Sequence, residues 1–177
     1  ELLSRANLSQ LGRIRHAPLP RVYYASLQEA MRNAYVYGRV VWTTIESAQQ
    51  PEIVAEVADL LHRLERVTWA FCIACLDGRV LISIRSSDPR ARCGRLLNQQ
   101  IGTRGMAGGH HHMAAGFLDI SGQDAAGRKR SCQDLIRGLL NSIERRGHTT
   151  TGGAGDFPPW QRLIDIASDP GGDENGT

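Results

Sequence analysis

The stretch VTWAFCIACLDGRVLISIRSSD, residues 67–88, decides the fold. Its two apolar runs, 67–76 and 79–86, contain β-branched and aromatic residues, which favour strands. Asp77 and Gly78 separate the runs, and Asp-Gly between apolar runs is a strong signal for a two-residue hairpin turn. The stretch therefore predicts a β-hairpin whose second strand ends near Arg85.

Helical spacing of apolar residues on both sides of the hairpin predicts that helices flank it. Together the pattern predicts an α/β fold, a single domain with a mixed β-sheet of about four to five strands flanked by helices. In chain order we predict a helix over 22–37, a strand over 39–45, a helix over 51–65, the two hairpin strands, a helix over 89–101, a strand over 114–120 and a helix over 131–146 with Ser131 as its N-cap.

Composition divides the chain into three segments. Residues 1–19 have a partial helical spacing of leucines and end at two prolines; because the chain opens on Glu1, we expect a linker helix from a missing upstream catalytic domain. Residues 20–147 form the predicted domain. Residues 148–177 are rich in threonine, glycine and proline, which predicts a flexible C-terminal tail with a short helix over 159–167.

The overall composition is that of a soluble globular protein, with 41% hydrophobic and 22% charged residues among 177. No run of about 18 apolar residues occurs, so we expect no membrane span, and no signal peptide is visible. A formal net charge of +3 is too small to indicate nucleic-acid binding by itself. We therefore expect a cytoplasmic protein.

The four cysteines fit a reducing compartment. Cys72 and Cys75 form a CxxC pattern, which can indicate a zinc or redox site. In a strand, however, residues three apart point to opposite faces, so these two thiols cannot share a metal. We interpret both as core residues, and Cys93 and Cys132 have no partner nearby in the sequence.

A second notable stretch is GGHHHMAAG, residues 108–116. Paired glycines allow positive φ and a close approach of the backbone to a ligand. Successive N–H groups in such a turn can form a nest that holds an anion, and the three histidines add donors or acceptors. The stretch is typical of a ligand-binding loop, with an ordinary glycine-rich turn as the alternative.

Arg85 stands where the second hairpin strand ends. Its planar guanidinium could hold a phosphate through two hydrogen bonds, with the hydroxyl of Ser86 or Ser87 beside it. The alternative is an exposed loop arginine paired with Asp88. Asp59, on the helix before the hairpin, is predicted to be a solvated helix-face charge.

Together the strand end SIRSS (83–87), the following helix and the glycine-histidine loop resemble the C-terminal, DHH-associated domain of the DHH phosphoesterase family. The signature of that domain is a GGGH-x-x-A-A-G loop. When residues 114–116 are aligned with its last three positions, the family's histidine falls on His111. His110 then stands in place of the third glycine.

The resemblance implies a substrate-binding domain for a short single-stranded oligonucleotide or a nucleotide phosphate. Arg85 would hold a phosphate with help from Ser86, and the loop would contact the phosphate or the adjacent nucleotide. The substrate-binding residues implied by the resemblance are Arg85, Ser86, Arg104, Gly108, Gly109, His110 and His111.

The same resemblance implies that catalysis lies elsewhere. DHH enzymes carry an N-terminal domain whose Asp-His-His triplet and other ligands hold two divalent cations, usually manganese. No Asp-His-His occurs in this sequence. We therefore expect no catalytic residue and no cofactor on this chain, manganese in an upstream DHH domain of the same polypeptide, and an inactive fragment of a parent phosphodiesterase or exonuclease. The oligomeric state is open, with a homodimer as one candidate.

Three alternatives stand beside this interpretation. One is an RNA- or tRNA-binding module without a hydrolytic role, like the related C-terminal domain of alanyl-tRNA synthetases. Another is a metallohydrolase built on His110, His111 and His112, although consecutive side chains diverge and zinc ligands are normally spaced apart. The third is a protein without a ligand, in which the loop is only a turn.

Overall fold

The computed structural model describes residues 18–46, 48–145 and 161–167. Its strands are β1 (Tyr35–Tyr37), β2 (Val40–Ile45), β3 (Trp69–Leu76), β4 (Arg79–Ser86), β5 (Gly105–Gly109), β6 (Met113–Asp119) and β7 (Gln161–Arg162). Its helices are α1 (Arg21–Arg32), α2 (Glu52–Leu61), α3 (Cys93–Ile101), α4 (Ala125–Glu144) and α5 (Leu163–Ala167), and a 3-10 turn, Gly102–Arg104, joins α3 to β5.

The hairpin predicted from the sequence is β3 and β4, and its register is continuous from Trp69 opposite Ser86 to Leu76 opposite Arg79. Asp77 and Gly78 form the turn with φ values of 48° and 73°. Two positive φ values in a two-residue turn match the right-handed twist of the strands, which explains why Asp-Gly is favoured there. The prediction of this hairpin is confirmed.

The described strands form one mixed sheet in the order β5-β6-β4-β3-β2-β1-β7. β2 and β3 are parallel, and the other neighbouring strands are antiparallel. The predicted fold class, α/β with a mixed sheet flanked by helices, is confirmed, but the sheet has seven strands instead of four to five.

The three additional strands are β1, β5 and β7. β5 has the sequence GMAGG, which lacks β-branched residues, and it is a strand because its backbone pairs with β6. β1 was predicted as the end of a helix over 22–37, but α1 ends at Arg32. β7 lies in the segment expected as a tail, where Arg162 pairs with Tyr35 of β1.

Helices cover both faces of the sheet. α1 and α2 pack on one face, here called the α1/α2 face, over a core that includes Val41, Ala70 and Cys72. α3 and α4 pack on the other, the α3/α4 face, over Trp42, Phe71 and the hydrophobic side chains around them. Each face therefore has its own buried apolar layer.

Helix ends differ from the predicted ones where polar side chains provide caps. α4 begins at Ala125 because the Asp124 carboxylate accepts a hydrogen bond from the N–H of Gly127 at 2.7 Å. Ser131, predicted as the cap, lies inside the helix and donates to the side chain of Gln123 at 2.9 Å. The expected linker helix falls on residues 1–17, outside the described residues, apart from its last two positions.

The faces of the sheet separate the CxxC cysteines. Cys72 lies in the core under α1 and α2, whereas Cys75 packs against the core under α3 and α4. The prediction that the two thiols point to opposite faces is confirmed. Among the described helices, none combines the length and the apolar character needed to cross a membrane.

Candidate functional site

The three histidines form the turn between β5 and β6. The N–H of His110 donates to the carbonyl oxygen of Met113 at 2.8 Å and closes this turn. Gly108 and Gly109 are the last residues of β5, opposite Ala115 and Ala114 of β6. The glycines of the predicted loop are therefore strand residues, and only residues 110–112 make the connection.

This turn lies against the N-terminus of α3. The N–H groups of Cys93 and Gly94 donate to the carbonyl oxygens of His111 and His110, each at 3.0 Å. The first N–H groups of a helix lack partners within the helix, so the turn satisfies two of them. The contact is close, because a Cβ at Gly94 would lie 2.5 Å from the carbonyl oxygen of Gly109.

These hydrogen bonds change the expected mode of anion binding. The N–H of His110 and the first two N–H groups of α3 are all directed at carbonyl oxygens of the chain. The anion-holding nest of backbone N–H groups expected in this turn therefore does not include them. The side chains around the turn are further candidate donors.

An open groove lies beside the turn, with a volume of about 300 Å³. The side chains of its two arginines and two histidines are exposed, so they can turn toward a ligand. Arginine in particular matches the geometry of a phosphate, because its planar fork can donate two parallel hydrogen bonds. The residues that line the groove are Arg92, Gly94, Arg95, Gly109, His110 and His111.

Arg92 has an unusual backbone conformation. It precedes α3 with φ of 49° and ψ of 50°, in the left-handed region that residues with a Cβ rarely adopt. Such conformations cost free energy and persist when the surrounding structure holds them, often at ligand sites. The sequence indicated Arg92 and Arg95 only as outward-facing helix residues, because nothing local shows that the turn returns to the start of α3.

Ser86 is buried and holds the end of β4 in place. Its hydroxyl donates to the carbonyl oxygen of Thr68 at 2.9 Å and accepts from the N–H of Asp88 at 3.1 Å. Its own N–H donates to the carbonyl oxygen of His112 at 2.9 Å, and Nδ1 of His112 lies 3.1 Å from its carbonyl oxygen. Ser86 and His112 thus tie the histidine turn to β4.

The guanidinium of Arg85 is held by the carboxylate of Asp59 on α2. Nε and Nη2 donate to the two carboxylate oxygens at 2.5 and 3.2 Å, and Nη1 donates to Oγ of Ser83 at 2.7 Å and to the carbonyl oxygen of Ile84 at 3.1 Å. The side chain of Arg85 is 12% exposed and that of Asp59 is 60% exposed. Asp59 was predicted to be a solvated charge, but its two carboxylate oxygens pair with Arg85, the residue that was predicted to bind a phosphate.

The guanidinium contacts of Arg85 go to Asp59, Ser83 and Ile84, whereas Oδ1 of Asp88 accepts from the backbone N–H of Arg90 at 2.9 Å. Arg85 is opposite Ala70 in the sheet, and Ala70 belongs to the core under α1 and α2. Cross-strand neighbours share a face, so Arg85 points to the α1/α2 face. The groove lies at the same end of the sheet on the other face.

His62 completes the surroundings of Asp59. Its Nε2 atom is buried and has no hydrogen-bond partner within the described part of the chain. Burial lowers the pKa of His62, the nearby Arg85 also lowers it, and the Asp59 carboxylate acts in the opposite direction. The sequence pattern placed His62 inside the predicted helix over 51–65 and did not mark it as a site residue, whereas α2 ends at Leu61.

Arg104 lies apart from the groove. It is exposed in the 3-10 turn after α3, and Nη2 donates to the carbonyl oxygen of Gln100 at 3.1 Å. The groove is at the first turn of α3, and a helix of 9 residues spans roughly 13 Å at about 1.5 Å per residue. Of the predicted site residues, the structure brings Gly109, His110 and His111 together at the groove. Arg104 lies at the other end of α3. Arg85 and Gly108 face the opposite side of the sheet.

The described residues do not provide a metal site. Within residues 18–46, 48–145 and 161–167, no three histidine, cysteine, aspartate or glutamate side chains come close enough together to hold an ion. His112, one of three consecutive histidines, lies against the Ser86 carbonyl oxygen through Nδ1. This part of the chain does not fit the manganese centre that the family resemblance implies.

The architecture is that of an open α/β domain whose candidate groove lies at one end of the sheet. A crystal structure of an exopolyphosphatase-related protein from Bacteroides fragilis has this fold, with a TM-score of 0.54 and 16% sequence identity. The alignment covers 79% of this chain and 42% of that protein, so the chain spans less than half of its length. This similarity is consistent with the DHH-associated domain that the sequence resembles.

Two further solved structures are similar at lower scores. The C-Ala domain of Aquifex aeolicus alanyl-tRNA synthetase has a TM-score of 0.41 at 16% identity, covering 58% of this chain and 96% of that one. A pGpG-specific phosphodiesterase from Vibrio cholerae has a TM-score of 0.41 at 13% identity, covering 73% and 49%. Similarity at these scores carries no argument about function. No protein-family model and no curated protein matches the sequence.

Proposed function

We propose that this chain is the substrate-binding domain of a DHH-family phosphoesterase that acts on short oligonucleotides or nucleotides. One observation carries the proposal: the histidine turn and the start of α3 form an open groove lined by Arg92, Arg95, His110 and His111. Catalytic residues and the manganese of such an enzyme belong, in this proposal, to an upstream DHH domain of the same polypeptide.

The groove favours an anionic ligand on physical grounds. Two guanidinium groups are permanently charged, and each imidazole can donate a hydrogen bond when neutral and two when protonated. A phosphate could accept hydrogen bonds from both residue types at once, while the carbonyl oxygens of His110 and His111 stay bonded to the N–H groups of α3. Arg92 and Arg95 would supply charge, and His110 and His111 would orient the phosphate or the adjacent nucleotide.

Arg85 and Gly108 would form a second contact on the α1/α2 face. The carboxylate of Asp59 now occupies the Arg85 fork with the two-oxygen geometry that a phosphate would use. Because Asp59 is more exposed than Arg85, it can leave while the arginine stays in place. Phosphate binding at Arg85 therefore requires an exchange of anions, and Asp59 would weaken it by competition.

The first test is a calorimetric titration of the chain with a 5′-phosphorylated dinucleotide. Arg92→Ala, Arg95→Ala and His111→Ala should each weaken binding roughly 3- to 10-fold, which corresponds to the net free energy of about one solvent-exposed hydrogen bond. Arg137→Ala is the matched control, because Arg137 is an exposed arginine on α4 with a 64% exposed side chain. Equal losses in the control would mean that general charge attracts the ligand, which contradicts a specific groove.

Two further arms test the other parts of the proposal. Asp59→Asn should strengthen binding, and Arg85→Ala in the same background should remove that gain; no gain would exclude Arg85 as a ligand. Adding manganese to the titrated sample should give no hydrolysis product from this chain alone. Manganese-dependent product would contradict the assignment of catalysis to another domain.

A further inference from the structure

Two cysteines far apart in the sequence meet between the sheet and α4. Cys75, near the end of β3, and Cys132, in the first half of α4, have their sulfur atoms 3.5 Å apart. They are 57 positions apart in the chain. The CxxC pattern pointed to Cys72 as the neighbour of Cys75, but the fold directs that thiol to the opposite face.

Accessibility separates this pair from the other cysteines. Cys75 and Cys132 are partly exposed, whereas Cys72 and Cys93 are buried, and all four are free thiols. A small oxidant can therefore reach the pair first. Buried thiols in apolar surroundings are inert by comparison.

The two sulfur atoms also share a hydrogen bond, which makes one of them more reactive. The hydrogen bond from Cys132 lowers the pKa of Cys75 to about 7, with Arg128 of α4 acting in the same direction and Glu46 at the end of β2 opposing. The same contact raises the pKa of Cys132. By contrast, burial raises the pKa of Cys72. With a pKa of about 7, Cys75 is about half thiolate at neutral pH and is the more readily ionised thiol of the pair.

We propose that Cys75 and Cys132 are a peroxide-sensitive dithiol that closes into a reversible disulfide between β3 and α4. The Cys75 thiolate attacks one oxygen of hydrogen peroxide, the O–O bond breaks, and the departing hydroxide takes a proton to become water. The Cys132 thiol then loses its proton and attacks the Cys75 sulfenic acid, forming the S–S bond and releasing a second water. Two thiols are oxidised and one peroxide is reduced.

The movement that this step needs is small. A disulfide has an S–S distance of about 2.05 Å, so the sulfur atoms must approach by about 1.5 Å, within the range of side-chain rotation. No backbone element has to detach, because β3 and α4 already pack on the same core. A bridge across 57 positions would also restrict the unfolded chain, which stabilises the oxidised form.

The test treats the folded full chain with a slight excess of hydrogen peroxide, followed by blocking of free thiols and mass spectrometry. We expect a loss of two hydrogens, a fall in blocked thiols from four to two, and a peptide that links Cys75 to Cys132. A reducing thiol should reverse all three changes. The Cys93→Ala variant should still form the bridge.

Peptide mapping of the unaltered protein makes the test independent of whether variants fold. Retention of all four thiols, a bridge involving Cys72 or Cys93, or a disulfide between two chains would each overturn the proposal. So would oxidation of Cys75 to a sulfinic acid without capture by Cys132. In Cys132→Ser, where a hydroxyl can still donate a hydrogen bond to Cys75 but no disulfide can form, the Cys75 sulfenic acid should accumulate and be trapped by dimedone.

Discussion

Gly108 and Gly109 are neighbours in β5, but only one of them needs to be glycine for the fold. Gly109 has φ of 151°, and a Cβ there would overlap the backbone of Met113 and Ala114. A Cβ at Gly108 would have no heavy atom within 4 Å. The fold therefore does not require a glycine at position 108, and in the proposed function its missing side chain would let a ligand approach the backbone closely.

The first prediction compares alanine at these two positions. Gly109→Ala should lower the free energy of unfolding by about 2 kcal/mol, because backbone must shift to admit the methyl group. Gly108→Ala should change it by less than about 0.5 kcal/mol while weakening binding of the phosphorylated dinucleotide. Chemical denaturation measures the free energies of unfolding of both variants, and titration measures the binding of the dinucleotide by Gly108→Ala. Equal destabilisation of the two variants would contradict the described register of β5 and β6.

His62 gives a second prediction, on pH dependence. Since burial lowers its pKa below the ordinary value of 6.5, the folded chain binds fewer protons at this site than the unfolded chain does. Above pH 6.5 His62 is neutral in both states, and its contribution to the free energy of unfolding is fully present. That contribution is lost as the pH falls from 6.5 toward the lower pKa of the folded chain. Thermal melting between about pH 7 and pH 5 should therefore be less pH-dependent in His62→Gln than in the unaltered chain. An unchanged dependence would show that His62 does not carry this linkage.

At the scale of elements, the start of α3 combines strain with exposure. Arg92 has a left-handed backbone conformation and a side chain on the groove. Because glycine adopts this backbone conformation without strain, a glycine at this position would make the folded chain more stable. Arg92→Gly should raise the free energy of unfolding by about 0.5–1 kcal/mol and weaken dinucleotide binding. Measurement of both quantities in one variant separates a ligand role from a structural one.

Arg66 provides the matched control for this substitution. It has φ of 63°, the same class of backbone conformation, and it is not among the groove residues. Arg66→Gly should therefore raise stability similarly and leave binding unchanged. If Arg92→Gly binds the ligand as well as Arg66→Gly does, the Arg92 side chain is not a ligand group.

At the scale of the whole molecule, the sequence predicts those parts of the fold that local chemistry specifies. Asp77-Gly78 and the apolar runs beside it predicted the central hairpin, and the α/β class followed from the alternating patterns. The sequence did not predict β5, because GMAGG contains no strand-favouring residue. This segment becomes a strand by pairing with β6. β1 has the strand-favouring sequence Tyr-Val-Tyr, but the predicted helix over 22–37 was extended through it. β7 has only two residues and forms by pairing with β1.

The same distinction between local sequence signals and tertiary contacts applies to the candidate site. The motif predicted Gly108, Gly109, His110 and His111 as site residues, and the last three line the groove whereas Gly108 does not. Arg92 and Arg95 join them only through the return of β5 along α3, and Asp59 meets Arg85 only through the packing of α2 on β4. These partners are set by topology, which one sequence without relatives does not reveal.

The most direct test of the central claim is an NMR titration of the isotopically labelled full chain with the 5′-phosphorylated dinucleotide, followed through backbone amide shifts. We expect saturable shifts centred on residues 92–95 and 109–112, with smaller ones near Arg85 and none on the outer surface of α4 around Arg137. Shifts spread over exposed arginines in proportion to their charge, or absent from the histidine turn, would contradict a phosphate-binding groove at the start of α3.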